Sequence, residues 1–410
     1  MPLKAEGTSM LGLVRDAASR MKGVINPTPL ILSGALSRLF GFEVRLKLEN
    51  LQKTGSFKVR GAYNRISSLN GEERSRGVIT ASSGNHAQGV AWAATLLGIR
   101  SMVVMPETTP IIKYMAAREY GAEVVFHGKF FDESYVQAVD LAKKNGMTFV
   151  PPFDDDLVIA GQGTIGLEII GALDDFDAVI VPVGGGGLIS GIALAIKESG
   201  RPVKVIGVEA EASKSCILSL KEGRPVNGGA GATLADGIAV KRVGEKTFPL
   251  IRKYVDDVVA VSEDSIAGAI LKLMERKKLV VEGAGAVVIA AAMEGRLPPS
   301  LKKSVFVLSG GNIDVTALDR VIRLGLLREG RVMRVATVVR DVPGALAELT
   351  SAIAALKANI LQVIHQREAV DMPVGFTRLD IILEVEGREH AEKVRKTLAE
   401  KNRMTGGPER

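Results

Sequence analysis

Short apolar, mostly β-branched runs alternate with longer segments of helical spacing, and this alternation limits the fold more than any other feature. The runs are Val44–Leu48, Val78–Thr80, Met102–Met105, Val124–Phe126, Ala178–Val181, Val203–Val208 and Val305–Leu308, with helical segments such as Ala87–Leu97 and Ile111–Tyr120 between them. Strands separated by helices predict an α/β fold, a parallel sheet covered on both faces. Several runs empty into Gly- or Ser-rich loops that open helices, and ligands in such folds sit at the carboxyl ends of strands. At 410 residues the chain has room for about two to four folding units.

The pattern changes near Arg331. Val332–Val339 reads as a strand, Ala345–Leu356 as a helix, Ile360–Gln366 and Leu379–Val385 as strands, and His390–Glu400 as a second helix. This βαββα order is close to a ferredoxin-like α+β unit and sets a boundary near Glu329–Arg331. After Lys401 the sequence NRMTGGPER reads as turn, not as a fourth strand. The first strand of such a unit would keep an open edge, and open edges invite pairing, so a second subunit is expected there.

Composition removes several function classes. The net charge is +7, from 53 Lys and Arg against 46 Asp and Glu, with the two signs interspersed rather than gathered, so no nucleic-acid partner is expected. Cys216 is the single cysteine and the four histidines are scattered. Neither an intramolecular disulfide nor a thiolate metal cluster is available, and a reducing, cytoplasmic location fits. The N-terminal residues lack the pattern of a signal peptide. Ala178 to Ile196 carries no charge, but Pro182 and four glycines interrupt it. It reads as strand, loop and helix rather than as a membrane span.

Four segments carry the chemistry. In Lys53-Thr-Gly-Ser-Phe-Lys58-Val-Arg-Gly61, Lys58 lies between Phe57 and Val59. Buried, its amine would lose proton affinity and become a nucleophile able to form a Schiff base with an aldehyde cofactor; exposed, it is a cation at a helix start. In Thr80-Ala-Ser-Ser-Gly-Asn-His-Ala-Gln-Gly89, free amides at a helix start can bind a carboxylate, and a plain N-cap is the alternative. The run Gly184-Gly185-Gly186-Gly187 stands between strand and helix. Four glycines are entropically costly and suit a backbone wrapped around a phosphate, or a merely flexible loop. The run fits neither the G-x-G-x-x-G nor the Walker pattern, which points to a phosphate-bearing cofactor other than NAD or ATP. In Val307-Leu-Ser-Gly-Gly-Asn312, Ser309 can bond a ligand or cap a helix.

In order and wording these segments resemble the pyridoxal-phosphate-dependent threonine and serine dehydratases of the tryptophan-synthase-β-like fold, fold type II. Pro152-Phe-Asp-Asp-Asp156, Ala160-Gly-Gln-Gly-Thr164, Ala235-Asp-Gly237 and Glu282-Gly-Ala-Gly285 add to the resemblance. It implies a catalytic domain over residues 1–327, with a smaller subdomain of about 55–155 inserted. The C-terminal part, 331–402, is similar to an ACT domain, an amino-acid-binding regulatory module, through Asp341-Val-Pro-Gly344 and Asn359-Ile…His365-Gln-Arg367.

The resemblance implies roles. Lys58 would hold pyridoxal 5'-phosphate and act as the base at Cα, with Phe57 and Gly237 lining the ring. Asn85 would bond the 3-hydroxyl, and Glu282 would lie close by. Gly184, Gly185, Gly186, Gly187 and Leu188 would hold the phosphate, and Ser309 would meet the pyridine nitrogen. Ser82, Ser83, Gly84, Asn85 and His86 would clasp the substrate carboxylate. The implied reaction is α,β-elimination of water from L-threonine to give 2-oxobutanoate and ammonia, with pyruvate from L-serine, in isoleucine biosynthesis or threonine catabolism. Ser83 stands where many threonine dehydratases have alanine. The pair Ser82-Ser83 looks more like serine racemases, where the second serine faces Cα opposite the lysine, so a racemase or serine-preferring dehydratase is the alternative. Glu209 matches one ligand of the racemase metal site, but Ser215 stands where an aspartate is expected; a monovalent cation near Glu209 is the remaining option. Asp341, Gly344 and Ala345 are the candidate contacts for an amino-acid effector, and a homodimer or homotetramer is expected.

Overall fold

A computed structural model describes residues 9–367 and 373–404. The chain divides into two compact units, Met1–Asp314 and Val315–Arg410.

In the first unit, a six-stranded sheet runs in the order Leu30–Leu32, Glu43–Leu48, Lys303–Leu308, Ala178–Pro182, Lys204–Ala210, Asp257–Val261. Only the first pairing is antiparallel. A second sheet of four parallel strands runs Glu123–Phe126, Ser101–Met105, Val78–Ala81, Thr148–Phe149. The central strands Val78–Ala81, Ser101–Met105 and Ala178–Pro182 are buried at every position, as strands covered on both faces must be. No helix among the described residues is long and apolar enough to cross a membrane. Ala178–Ile196 instead contains the strand Ala178–Pro182 and all but the last residue of the helix Gly187–Lys197.

The helix Asp156–Ala172 is the strut of this unit. Asp155 caps it, its side chain accepting from the amides of Leu157 and Val158 at 2.9 and 3.0 Å, which satisfies donors the helix leaves open. Gly161 lets it approach the helix Lys58–Ser67: a Cβ there would lie 2.7 Å from the Arg60 carbonyl oxygen. Gly191 does the same on the helix Gly187–Lys197, where an added Cβ would meet the Ile159 carbonyl oxygen at 2.4 Å. One helix thus sets the spacing between the lysine segment and the tetraglycine segment.

The second unit contains the helix Val315–Arg328, then strand, helix, two strands and a final helix, Arg388–Met404. Its sheet is antiparallel in the order Val332–Arg340, Phe376–Glu384, Asn359–Gln366. Met333, Leu379, Ile381 and Leu383 bury one face against Leu349, Ile353, Val394 and Leu398 of the two helices Ala345–Ala355 and Arg388–Met404. Val332–Arg340 is an edge strand of the sheet formed by the described residues. Asn402 to Met404 continue the last helix rather than forming a turn. The rest of that tail, 405–410, the N-terminal residues 1–8 and the segment 368–372 of the ACT-like stretch lie outside the described residues.

Candidate active site

Backbone pairing brings the four motifs together. The loop before Lys58 zips onto the end of the strand Lys303–Leu308: the Phe57 amide donates to the Ser309 carbonyl at 3.0 Å and the Gly311 amide to Gly55 at 2.9 Å. The helix Asn85–Leu96 crosses the start of the lysine helix at Gly89, where a Cβ would lie 3.1 Å from the Val59 nitrogen. The tetraglycine loop follows Ala178–Pro182, two strands from Glu43–Leu48 in the same sheet. One cavity of about 600 Å³ results, and Phe57, Lys58, Ser82 to His86, Gly184 to Leu188, Gly237, Glu282 and Ser309 all line it. Glu209 does not line it, and neither do Asp341, Gly344 and Ala345, which belong to the second unit.

Lys58 opens its helix, and its Nζ donates to the Pro152 carbonyl at 2.9 Å. Burial lowers its affinity for a proton to a pKa of about 8, with Glu282 pulling the other way. The Phe57 ring centroid lies 5.2 Å from Nζ. Asn85 is oriented from both ends: Asn312 Nδ2 donates to its Oδ1 at 2.8 Å, and its own Nδ2 donates to Glu282 Oε1 at 2.7 Å. One N–H of Asn85 remains for a ligand. Glu282 is pushed up to about 7 by burial first and Asp236 second, so it carries a proton for much of the time near neutrality.

His86 is buried, and its Nε2 lies 3.0 Å from the Val150 carbonyl. That contact assigns the ring proton to Nε2 and leaves Nδ1 as a bare acceptor, buried and without a hydrogen-bond partner among the described residues. Burial, then the Lys58 cation, lowers its pKa to about 3. The ring stays neutral, so what His86 offers a carboxylate is its backbone N–H in the first helical turn, alongside those of Asn85 and Ala87. Ser82 Oγ accepts from the Gly84 amide at 3.2 Å, which shapes the turn that exposes them.

At the tetraglycine loop, no backbone or side-chain acceptor among the described residues takes the amides of Gly184, Gly185 or Gly186. Those of Gly187 and Leu188 open a helix and lack intrahelical partners. Gly186 has φ +94°, a conformation that favours glycine. A nest of free amides, a lysine with lowered proton affinity and an oriented carboxamide are the donor set that a phosphate-bearing aldehyde requires, so these residues fit the cofactor.

A sequence profile described as pyridoxal-phosphate dependent enzyme matches residues 21–310. The chain belongs to this family. It is 50% identical over 388 residues to an L-threonine ammonia-lyase of Thermotoga maritima, covering 95% of this chain and 96% of that one. Among solved structures, the processed threonine deaminase isoform 2 of Solanum lycopersicum matches with TM-score 0.73 and 41% identity over 79% of this chain and 95% of that one. Maize serine racemase matches with TM-score 0.73 and 32% identity over 78% and 99%. The fold of the enzyme is therefore fold type II, with parallel sheets, and its cofactor is pyridoxal phosphate.

Glu209 lies on the strand Lys204–Ala210, outside the cavity. It is buried, and it accepts from the amides of Cys216 and Ile217 at 2.8 and 2.9 Å at the start of the helix Ser215–Glu222. Burial raises it to about 7. The described residues contain no cluster of three or more His, Cys, Asp or Glu that could hold a metal. Cys216 beside it is buried and its thiol is pushed far up by burial. Asp341, Gly344 and Ala345 share one turn, where Arg367 Nε reaches Asp341 Oδ1 at 3.3 Å.

Sequence reasoning did not find the charged quartet of buried Arg60, Glu49 and Lys47 with half-buried Glu168. Arg60 donates to Glu49 through Nε and Nη2, both at 2.8 Å, and to Glu168 at 2.6 and 3.0 Å; Lys47 pairs with Glu168 as well. Burial opposes the Arg60 charge, but the two carboxylates outweigh it and raise its proton affinity. A lone Arg two residues after Lys58 carries no signal of this pairing, because its partners Glu49 and Glu168 sit on other elements, 11 and 108 residues away.

Proposed function

We propose that this enzyme removes ammonia from L-threonine by α,β-elimination. The Cα–H and Cβ–OH bonds break, water leaves, and hydrolysis releases 2-oxobutanoate and ammonia. The observation that carries the reading is the shared cavity: a lysine of lowered proton affinity, the amides of Asn85 and His86 at a helix start and the tetraglycine nest face one space, in a chain half identical to an L-threonine ammonia-lyase.

Bound pyridoxal phosphate supplies an aldehyde that takes up an amino group and a ring that draws electrons away from the substrate Cα. Lys58 would anchor the cofactor, and its Nζ is the base placed to take the Cα proton. Gly184 to Leu188 would hold the phosphate through backbone N–H groups. Ser309, which lines the cavity, would meet the pyridine nitrogen with a hydroxyl, a partner that would favour an unprotonated nitrogen, and Asn85 would fix the ring through its spare N–H. The amides at the start of the helix Asn85–Leu96 hold the substrate carboxylate, placing Cα before Lys58. L-Serine meets the same groups and would give pyruvate.

Ser83 supports a second reading, serine racemisation, in which its hydroxyl returns a proton to the face of Cα opposite Lys58; the likeness to maize serine racemase favours keeping it. Product analysis from L-threonine and L-serine in parallel separates the two. Rapid 2-oxo-acid release with recovered serine still L supports the lyase; D-serine that disappears in Ser83→Ala supports the racemase.

The second unit has the element order of an ACT-like module, and we read it as a regulatory domain that binds an amino acid at Asp341, Gly344 and Ala345. A branched-chain amino acid fits a biosynthetic role. The open edge of Val332–Arg340 supports pairing with another copy, and the protein acts in the cytoplasm. A monovalent cation near Glu209 stays a subsidiary proposal.

A further inference from the structure

Pro152, Phe153 and Asp154 have no part in the cofactor and substrate roles assigned above, yet all three line the cavity. The Pro152 carbonyl receives the Lys58 amine at 2.9 Å. The Phe153 ring packs under the tetraglycine loop, where a Cβ on Gly185 would lie 2.3 Å from it. Asp154 is spent on a neighbouring turn. Its Oδ1 accepts from the amides of Lys246 and Thr247 at 2.8 and 3.3 Å, and its Oδ2 from that of Glu245 at 3.1 Å. Gly244 allows this approach, since a Cβ there would lie 2.1 Å from Oδ1.

The turn that Asp154 holds in turn grips the glycine loop. Thr247 Oγ1 donates to the Gly185 carbonyl at 2.7 Å, and the Gly244 amide donates to the same oxygen at 3.2 Å. In a trans peptide the C=O of one residue and the N–H of the next point in opposite directions. Pinning the Gly185 carbonyl toward Thr247 therefore turns the Gly186 N–H the other way. The left-handed Gly186 is packed on the same helix, Thr247–Tyr254: a Cβ would meet Ile251 Cδ1 at 2.7 Å and Thr247 Oγ1 at 2.8 Å.

We propose that Asp154 is a positioning residue for the phosphate cradle, acting through the Glu245–Thr247 turn and the Thr247 hydroxyl on the Gly185–Gly186 peptide. This rests on the reading that Gly184 to Leu188 receive the cofactor phosphate. The sign of the effect separates positioning from charge. Asp154 lines the same cavity as the loop, so its carboxylate repels a phosphate; by charge alone, removing it would tighten binding. Positioning requires the reverse.

The test titrates the full chain, stripped of cofactor, with pyridoxal phosphate and with pyridoxal, which lacks the phosphate. Asp154→Ala weakens pyridoxal phosphate by about 10-fold or more, the scale of one lost charged hydrogen-bond set. Pyridoxal affinity stays within about twofold. Thr247→Val shifts the preference in the same direction, and Thr247→Ser restores it. Unchanged or tighter pyridoxal phosphate binding in both variants overturns the proposal, and so does equal weakening of both ligands. If Asp154→Ala does not fold, Thr247→Val decides alone. Gly186→Ala separates the two levels of the argument. If it lowers the preference for the phosphate while Asp154→Ala and Thr247→Val do not, Asp154 has no positioning role and the cradle stands. If none of the three moves the preference, the cradle reading fails and the proposal with it.

Discussion

Lys58 is chemically unusual for a physical reason that can be checked apart from turnover. An exposed amine titrates near its ordinary value of 10.5, and burial brings this one to about 8. A lowered pKa exposes the neutral, nucleophilic amine at lower pH. The rate at which cofactor-free protein captures pyridoxal phosphate is therefore expected to rise with pH and level off above about 8. A rise that continues past pH 10 would show an ordinary, solvated lysine. The effector turn offers a second residue-scale test. Gly344 has φ +93°, so Gly344→Asp strains the turn and sets a carboxylate beside Asp341. Effector binding by calorimetry is expected to vanish while threonine turnover without effector stays within about twofold; effector binding that survives would remove Asp341, Gly344 and Ala345 from the account.

At the level of elements, the quartet around Arg60 ties the lysine helix to Glu43–Leu48 and to Asp156–Ala172. Glu49 is fully buried, so Arg60→Met leaves it without its guanidinium partner. Breaking a buried pair in this way costs roughly 3–5 kcal/mol, which urea unfolding of the full chain would register; a loss below about 1 kcal/mol would mean that water or Lys47 takes over the pairing. The seven apolar runs read from sequence all contain strands; most are buried parallel strands, whose continuous apolar run is a strong signal, while Glu123–Phe126 is an apolar edge strand with no buried position. Leu30–Leu32, Thr148–Phe149 and Asp257–Val261 escaped it. The first two are too short to show a period, and the third begins on Asp and is only partly buried, as an edge strand is. The motif residues were legible because each interrupts an apolar run with groups a sheet end does not need. Asp154 was not, since its partners lie some 90 residues away, nor was Arg60, whose partners Glu49 and Glu168 lie 11 and 108 residues away on other elements.

For the whole molecule, the division at Asp314/Val315 places the cavity within one unit and the candidate effector turn within the other. A chain ended at Leu327 is expected to keep 2-oxo-acid release, lose its response to a branched-chain amino acid, and scatter light as a smaller oligomer. An unchanged oligomer would rule out the open edge of Val332–Arg340 as the pairing surface.

The central claim is elimination at Lys58. Its most direct test follows 2-oxobutanoate and ammonia released by the purified protein from L-threonine, with Lys58→Ala beside it. The account predicts equimolar release of both products by the native chain, and a loss of about 10³-fold or more on removing the lysine amine. Threonine left unconsumed by the cofactor-loaded chain, or equal release from Lys58→Ala, would contradict it.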